Sequence, residues 1–325
     1  MQSSSLRTLL AISAGFLAAL TLYLLVSGQV WLAPGEVLRE LFAGPGQGGI
    51  IWTLRIPRAL AAILIGGTLG VSGLLFQALF RNPLAEPYVV GVSSGAAAGG
   101  ALMLILAGTG VAVVLGALFG GWVALALVLA IGAKASGSRL GPVTVLLAGV
   151  IVGAMLSGIT SALLVLSGQD SSRILAWMLG SLSSVQLVSN AWIALGLLLV
   201  AGWAWLHAPD LNAMAMGPEA AQQVGVDVRR LTQGTLFLAG GLVSLTVGFA
   251  GIIGFVGLLA PHLARRVAGP DLRRAWWIAG ILGAVLLLAA DAVASRVIRS
   301  AELPVSAVTA VLGAPALLVL FRRIT

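Results

Sequence analysis

Long uncharged runs of mostly apolar residues alternate with short charged segments along the whole chain. Because a helix needs about 20 apolar residues to cross a bilayer, each run predicts at least one membrane span. The runs that predict a single span each are 8–35, 59–80, 142–167, 190–206, 275–295 and 304–321. The more polar segment 171–189 predicts a short helix and a loop at the outer surface. The pattern as a whole predicts a helical protein that crosses the membrane many times.

Two further runs are too long for one helix each. Positions 87–133 hold no charge, and the Gly108-Thr109-Gly110 sequence predicts a break between two spans. Positions 231–264 would make a helix about 50 Å long, so one straight span is not expected. The glycine-rich stretch 248–257 predicts a break there, followed by a short span. The total is about ten spans.

The loop charges support this count. With the N-terminus in the cytoplasm, twelve of the 18 Lys and Arg residues fall on the inner side and six on the outer side. This bias agrees with the positive-inside rule, and a single span over 231–264 would reverse it for the last six inner arginines. Both termini are therefore predicted to be cytoplasmic. The run 8–35 is too long for a signal peptide and predicts an uncleaved helix.

Composition narrows the class of protein further. The chain is 59% hydrophobic and 9% charged, with 43 glycines, which suits a membrane bundle in which small residues let helices approach closely. The net charge of +8 lies in short loops between apolar runs, so it predicts topology signals and not a nucleic-acid partner. There is no cysteine, which excludes disulfides and thiolate metal sites. Residues 1–325 are predicted to form one membrane domain.

The longest hydrophilic segment on the inner side is 207–230. Pro218 and Glu219 predict the start of a short helix, because proline suits the first helical position and an acid favours the positive end of the dipole. Gly225 predicts its end. Such a compact loop could dock a cytoplasmic partner or be an ordinary surface connection, and both interpretations stay open here.

Few ionisable residues fall inside the predicted spans. Asp291, near the outer end of the ninth span, could serve a proton relay or pair with a neighbour such as Arg296. His262 has no Cys or second His near it in sequence, so a structural role is expected and not a metal site. Glu86 is expected to form an inner-surface contact or a helix cap. No nucleophile and base occur in a catalytic pattern, so the chain is not expected to be an enzyme.

An ordered set of short motifs resembles the permeases of type II ABC importers, which carry cobalamin, haem and ferric siderophores. These motifs run across nearly the whole chain: Arg55-Ile-Pro-Arg58, 73–87 (Gly-Leu-Leu-Phe-Gln-Ala-Leu-Phe-Arg-Asn-Pro-Leu-Ala-Glu-Pro), Gly91-Val-Ser-Ser-Gly95, Leu147-Ala-Gly149, Trp177-Met-Leu-Gly180, Gly217-Pro-Glu-Ala-Ala221 with Gly225, Gly254-Phe-Val-Gly-Leu258 with Pro261-His262, Glu302-Leu-Pro304 and Gly313-Ala-Pro315. Single motifs of this kind are weak, whereas the ordered set is specific.

The resemblance implies an all-α type II ABC importer permease, with about ten transmembrane helices per subunit and two copies around a central path in the cell inner membrane. Each subunit would rest on a cytoplasmic ABC ATPase, form a pair with its second copy, and receive cargo from an extracytoplasmic binding protein. ATP and Mg would belong to the ATPase, so no cofactor is expected on this chain. The absence of a Gly-x-x-x-x-Gly-Lys-Ser/Thr phosphate loop agrees with that division of labour.

The resemblance also implies roles for individual residues. Docking of the binding protein falls to Arg55, Arg58 and Arg296, with Arg299 as a fourth candidate. The alternative is snorkelling to the membrane interface or a local ion pair, for instance with Glu36 or Glu302. Coupling to the ATPase falls to Gly217, Pro218, Glu219, Ala220, Ala221 and Gly225. The gate and pathway fall to Asn82, Leu84, Gly141, Pro142, Ser161 and Ser167. Hydroxyls in membrane helices often bond a backbone carbonyl instead, so pathway lining by the serines stays one of two interpretations.

Two other kinds of membrane protein compete with the importer. A secondary transporter driven by ions would use Asp291, but such proteins normally need several buried acids or an ion cage. A passive channel would need neither the 207–230 loop nor outer arginines. For the importer, the Glu86-Pro-Tyr-Val-Val-Gly91 variant resembles iron-chelate permeases, which makes a ferric siderophore the first expected substrate and haem or cobalamin the next.

Overall fold

A computed structural model of the chain describes residues 15–23, 32–45, 49–108, 110–136, 141–298 and 302–321. Within these residues every regular element is a helix, and there is no strand. The helices are α1 (15–23), α2 (Pro34–Ala43), α3 (Ile56–Phe80), α4 (Val92–Ala107), α5 (Val111–Ser136), α6 (Pro142–Leu166), α7 (Ser171–Met178), α8 (Leu187–Leu206), α9 (Ala208–Met216), α10 (Pro218–Gln223), α11 (Val228–Ala250), α12 (Val256–Ala268), α13 (Leu272–Ala294) and α14 (Val305–Phe321).

Among the described residues, six helical segments are long and apolar enough to cross a membrane. They are Ile51–Phe80, Val111–Lys134, Pro142–Leu166, Leu187–Leu206, Val228–Ala250 and Leu272–Ala294, and two shorter apolar helices are Val92–Ala107 and Val305–Leu318. The predicted breaks at 108–110 and within 248–257 are confirmed, and the short helix predicted after the second break is α12. Positions 8–14 and 24–31 of the predicted first span lie outside the described residues, and the count of ten stays a prediction.

The segment before α3 differs from the prediction. The first run was expected to reach position 35, but α2 begins at Pro34 and carries the charges that suggested a loop. The Glu40 carboxylate accepts the Ile51 backbone N–H at 3.0 Å, and the Trp52 indole donates to the Glu40 carbonyl at 3.1 Å. These bonds hold a π-helical turn, Ile51–Arg55, that continues directly into α3. The helical segment therefore starts eight residues before position 59.

Helix α3 is the central helix of the bundle and packs against α8, α11, α12 and α13. Its contact with α13 is a close one, because a Cβ on Gly66 would lie 2.3 Å from the Gly283 carbonyl oxygen. One turn further on, a Cβ on Gly70 would lie 2.1 Å from the Ala279 carbonyl oxygen. Glycine is thus required for these backbones to touch, as expected for helices packed through small residues.

Between α11 and α12 the backbone is not helical over 251–255, and neighbouring segments satisfy its N–H groups. The Ile252 N–H donates to the Met178 carbonyl at 3.3 Å, and the Ile253 N–H donates to the Tyr88 hydroxyl at 3.2 Å. The Phe255 N–H donates to Glu86 Oε1 at 2.8 Å. Irregular backbone inside a membrane protein must be paired in this way, because lipid offers no hydrogen bonds.

Candidate functional site

The arginine cluster, as we call Arg55, Arg58 and Arg296, lies at the start of α3 and just after the end of α13. Arg58 is its most constrained member. Its Nε donates to Asp291 Oδ2 at 2.9 Å, and its Nη2 donates to Asp291 Oδ1 at 2.9 Å. On the other side, its Nη1 donates to Glu302 Oε1 at 2.7 Å. One guanidinium therefore joins α3, α13 and the segment that leads into α14.

The two acids differ in their exposure to solvent. The Asp291 side chain is fully buried, whereas that of Glu302 is 31% exposed. Asp291 was expected to pair with a neighbour such as Arg296, and the arginine that bonds its carboxylate is Arg58. Two nitrogens of Arg58 reach it across the α3–α13 contact, and the charge of Arg296 acts on it as well. The local ion pair considered for Arg58 is present with Glu302, while Glu36 instead accepts the Ala33 N–H at 3.0 Å.

Arg55 and Arg296 lie beside this ion network. The Arg296 guanidinium sits 4.6 Å from the centre of the Tyr23 ring and donates to the Ala292 carbonyl at 3.0 Å. Burial lowers the pKa of Arg296 below its ordinary value, although the Tyr23 and Asp291 charges oppose that effect. Arg55 is half-buried and feels the charges of both Glu40 and Arg296. Three guanidinium groups thus gather at one end of the bundle, which suits recognition of carboxylates.

The predicted docking role of the arginine cluster stays a prediction. The structure adds that Arg58 already forms ion pairs with Asp291 and Glu302 of the same chain. Arg55 and Arg296 lie beside these ion pairs. Arg299 lies outside the described residues.

The 207–230 loop folds as two short helices. Helix α9 ends at Gly217, whose φ of +135° is one that residues with a Cβ rarely adopt. Helix α10 then begins at Pro218 with Glu219 in its first turn, and Ala221 on this helix is fully buried. The predicted end at Gly225 is confirmed: its φ is +89°, and the next N–H, of Val226, returns to the Ala221 carbonyl at 3.0 Å.

Helix α11 follows at once, with a side-chain cap. The Asp227 carboxylate accepts the Arg230 N–H at 3.0 Å. Glu219 is exposed and Ala220 is half-buried. The loop is therefore compact and helical, and it presents the end of α9 and the face of α10 to solvent.

The predicted gate residues lie at two helix ends. Asn82 follows the C-terminus of α3, and its side-chain oxygen accepts the Leu84 N–H at 2.9 Å, which closes a tight turn. The Leu84 side chain is 41% exposed. Gly141 caps the start of α6, and Pro142 is its first residue. The role of these residues in gating stays a prediction.

The two serines predicted for the pathway, Ser161 and Ser167, bond their own helix. Ser161 Oγ donates to the Ser157 carbonyl at 3.0 Å, and Ser167 Oγ donates to the Leu164 carbonyl at 2.8 Å. The interpretation that such hydroxyls bond backbone carbonyls therefore accounts for both serines. Ser161 is also exposed on the surface of α6, so lining of a path by that residue remains open as a prediction.

Sequence reasoning found the carboxylate of Glu86 but not its partner. Expected to be a surface contact or a cap, Glu86 caps the first turn of α12 through the Phe255 N–H. Burial raises the pKa of this carboxyl, and the Phe255 N–H opposes that effect. Sequence reasoning also missed Tyr88, whose hydroxyl accepts the Ile253 N–H. The signal in the sequence is one hydroxyl group in an otherwise apolar turn. No three His, Cys, Asp or Glu side chains in the described part of the chain converge as metal ligands.

Comparison with known proteins assigns the chain to a family. The FecCD transport family matches residues 16–323. The vitamin B12 import system permease protein BtuC of Serratia proteamaculans is 38% identical over 98% of this chain and 93% of its own length. BtuC of Salmonella typhi is 36% identical over 97% of this chain and 94% of its own length.

Solved structures agree with this assignment. A metal-chelate type ABC transporter in an inward-facing conformation superposes with a TM-score of 0.87 at 28% identity, over 98% of this chain and 99% of that one. PsaBC from Streptococcus pneumoniae superposes with a TM-score of 0.59 at 18% identity, over 87% of this chain and 94% of that one, and supports the fold alone. The chain therefore belongs to the FecCD transport family and is the permease of a type II ABC importer.

Proposed function

We propose that the chain is one of two identical pore subunits of an importer that moves a metal chelate into the cytoplasm. A binding protein outside the cell delivers the chelate, and a pair of cytoplasmic ATPases supplies the energy. The observation that carries the proposal is the placement of two recognition surfaces at opposite ends of α3. Arg58 lies near its first residue, and Arg81, just past its last residue, donates to the Ala215 carbonyl of α9 at 3.3 Å.

In this proposal the arginine cluster receives acidic side chains of the binding protein. The three guanidinium groups face that partner together, and Arg58 also holds Asp291 and Glu302. The cluster therefore lies on the outer side of the cell inner membrane, and both chain termini lie in the cytoplasm. Electrostatic attraction of this kind raises the rate of encounter more than the final affinity.

At the other end, residues 217–225 dock in the ATPase. Glu219 and the exposed face of α10 form the contact surface, while the buried Ala221 ties α10 to the bundle. Closure of the two ATPases on ATP moves α10 and switches the path between outward and inward access. Asn82, Leu84, Gly141 and Pro142 form the constriction at the cytoplasmic end of that path. The permease itself carries no catalytic group in this scheme.

Vitamin B12 is the leading substrate in this proposal. The BtuC relatives at 36% to 38% identity are named for vitamin B12 import, and this supports cobalamin over the ferric siderophore favoured by the 86–91 variant. Ferric siderophores and haem are the next candidates. The family motifs contain scaffold and docking residues, so in this proposal the binding protein determines which chelate is selected.

The test is purification of the tagged permease from its native host in mild detergent, with the bound proteins identified by mass spectrometry. We expect a stoichiometric ATPase with a phosphate loop and, in the presence of the chelate, a binding protein. Labelled cyanocobalamin, ferric siderophore and haem are then offered to vesicles that contain the complex. Transport driven by an ion gradient in a preparation free of ATPase would overturn the proposal.

A further inference from the structure

Helices α3 and α13 are joined to each other at one end and in the middle. In the middle their backbones touch at Gly66 with Gly283 and at Gly70 with Ala279. At one end the buried ion pair of Arg58 with Asp291 links them. Separation of the helices at the glycine contacts would open a gap, and separation at the ion pair would leave a buried charge without a partner. The two helices are therefore expected to move as one body.

The other end of this pair is joined to α9 by one side chain. Asn212 Nδ2 donates to Asp271 Oδ1 at 2.8 Å, and Asn212 Oδ1 accepts the Leu272 N–H at 3.0 Å. The amide therefore uses both its donor and its acceptor on the first turn of α13. Asp271 in turn accepts the Arg273 N–H at 3.0 Å and caps α13. The Asn212 hydrogen bond is the main reason that the pKa of Asp271 lies below its ordinary value.

A second bond joins α9 to the end of α3. Arg81, which terminates α3 with a φ of +52°, donates to the Ala215 carbonyl near the end of α9. Helix α9 is thus held by α13 through Asn212 and by α3 through Arg81. Helix α10 follows after the single residue Gly217. Any displacement of α9 is passed to both helices.

We infer that Asn212 is a positioning residue that makes α9 and the α3–α13 pair one rigid body, with the ATPase-facing loop at one end and the arginine cluster at the other. This inference rests on the proposed function, and it names the helices through which the two partners act on each other. A displacement of α10 by the ATPase then shifts Arg58, and binding of a partner at the arginine cluster alters ATP hydrolysis. Such coupling makes the binding of nucleotide and the binding of the partner change each other's free energy, and the rate of hydrolysis is the readout of that coupling.

The contact allows an exchange experiment, because the two partners are an amide and a carboxylate. In N212D, two carboxylates face each other, so the bond to residue 271 is lost and repulsion replaces it. In D271N, the Asn212 amide still donates to the side-chain oxygen of residue 271, and asparagine remains a good helix cap. In N212D/D271N the amide and the carboxylate have changed places, and both hydrogen bonds can form again.

The measurement is ATP hydrolysis by the purified permease–ATPase complex in nanodiscs, with and without the binding protein from the same host. We expect N212D to hydrolyse ATP at the wild-type basal rate, while the change in rate that the binding protein produces falls by at least about fivefold. D271N should behave as wild type, and N212D/D271N should recover the lost response. An unaltered response in N212D would overturn the inference, as would a double variant that responds no better than N212D.

A distance measurement tests the rigid body even if N212D does not fold. The chain contains no cysteine, so spin labels attach in the permease only where cysteines are introduced. Met216 and Arg274 are exposed at the end of α9 and the start of α13. With M216C/R274C labelled, we expect the same distance distribution in the nucleotide-free complex and in the complex trapped with ATP and vanadate. A shift between the two states would overturn the inference.

The two proposals fail in different ways. If no ATPase is recovered with the permease, the proposed function is wrong. If the complex assembles and hydrolyses ATP but the spin-label distance changes, the importer stands and the rigid body does not.

Discussion

At the scale of single residues, the environment of Arg58 explains why an ionisable group is retained among apolar helices. Three of its N–H contacts go to Asp291 and one goes to Glu302. Asp291 has no access to solvent and depends on Arg58 for its charge, whereas Glu302 is partly hydrated. Removing one member of a buried pair costs far more than removing an exposed partner. The two acids should therefore differ sharply in their effect on stability.

We expect Asp291→Asn to lower the free energy of unfolding by about 3 kcal/mol, because the buried side of Arg58 loses its counter-charge. Glu302→Gln should cost about 1 kcal/mol or less, since solvent screens the exposed partner. Thermal unfolding of both variants in the same detergent measures the difference. Equal shifts of the unfolding midpoint would show that the depth of burial does not govern this network.

The burial of Glu86 predicts how the stability of the protein depends on pH. Its folded-state pKa is raised by burial, so above the usual glutamate value the folded protein binds more protons than the unfolded chain. Stability must then fall as pH rises through the window between the ordinary pKa and the raised one. Glu86→Gln keeps an acceptor for the Phe255 N–H and removes the charge, so it should abolish this part of the pH dependence.

The contrast variant is Glu86→Ala, which removes the charge and the acceptor together. It should lack the same pH dependence. At every pH it should also be less stable than Glu86→Gln, by about 1 to 3 kcal/mol, because the Phe255 N–H is left unpaired. Unfolding midpoints from pH 4.5 to 8 measure both variants. A Gln variant that keeps the wild-type slope would assign the slope to another group.

At the scale of helices, the packing of α3 on α13 depends on the absence of side chains at two contacts. Gly66→Ala would place a methyl group 2.3 Å from the Gly283 carbonyl oxygen, and the backbone there cannot move aside cheaply. We expect a loss of about 1 to 3 kcal/mol from overpacking, and a lower yield of folded protein.

Gly202→Ala on α8 is the matched control, because a Cβ there meets nothing within 4 Å. That variant should be neutral or slightly stabilising, since alanine favours the helix over glycine. Size-exclusion profiles and thermal unfolding compare the two. A Gly66 variant as stable as the Gly202 variant would mean that the helices separate without loss.

The helices themselves could largely be predicted from the sequence, because long apolar runs, glycine breaks and Pro218 act locally. The helix α2 was missed, since its charges at Glu36, Arg39 and Glu40 suggested a loop. Pairing was harder: Arg58 and Asp291 are 233 positions apart, and no local pattern selects Arg58 over Arg296. The same holds for Glu86 and Phe255, which meet only because the chain folds back at the 251–255 break.

At the scale of the whole molecule, the bundle separates two charged surfaces by the length of α3 and α13. In the proposed importer the arginine cluster lies on the outer side, where the topology rule would leave little positive charge. Attraction of an acidic partner would account for that charge, and the proposal then predicts an effect on association that depends on salt. Arg58 is a poor place to test this, because its replacement also removes the partner of Asp291.

Arg55 offers the cleaner test. Arg55→Glu should slow association of the binding protein with the permease in nanodiscs by about tenfold or more at low salt, because the charge change alters steering. The difference from wild type should shrink as ionic strength rises, since exposed charges are screened within about 10 Å at 0.1 M salt. Arg173→Glu is the matched control, an exposed arginine on α7 outside the cluster. An equal slowing in both variants would mean that overall charge, and not the arginine cluster, attracts the partner.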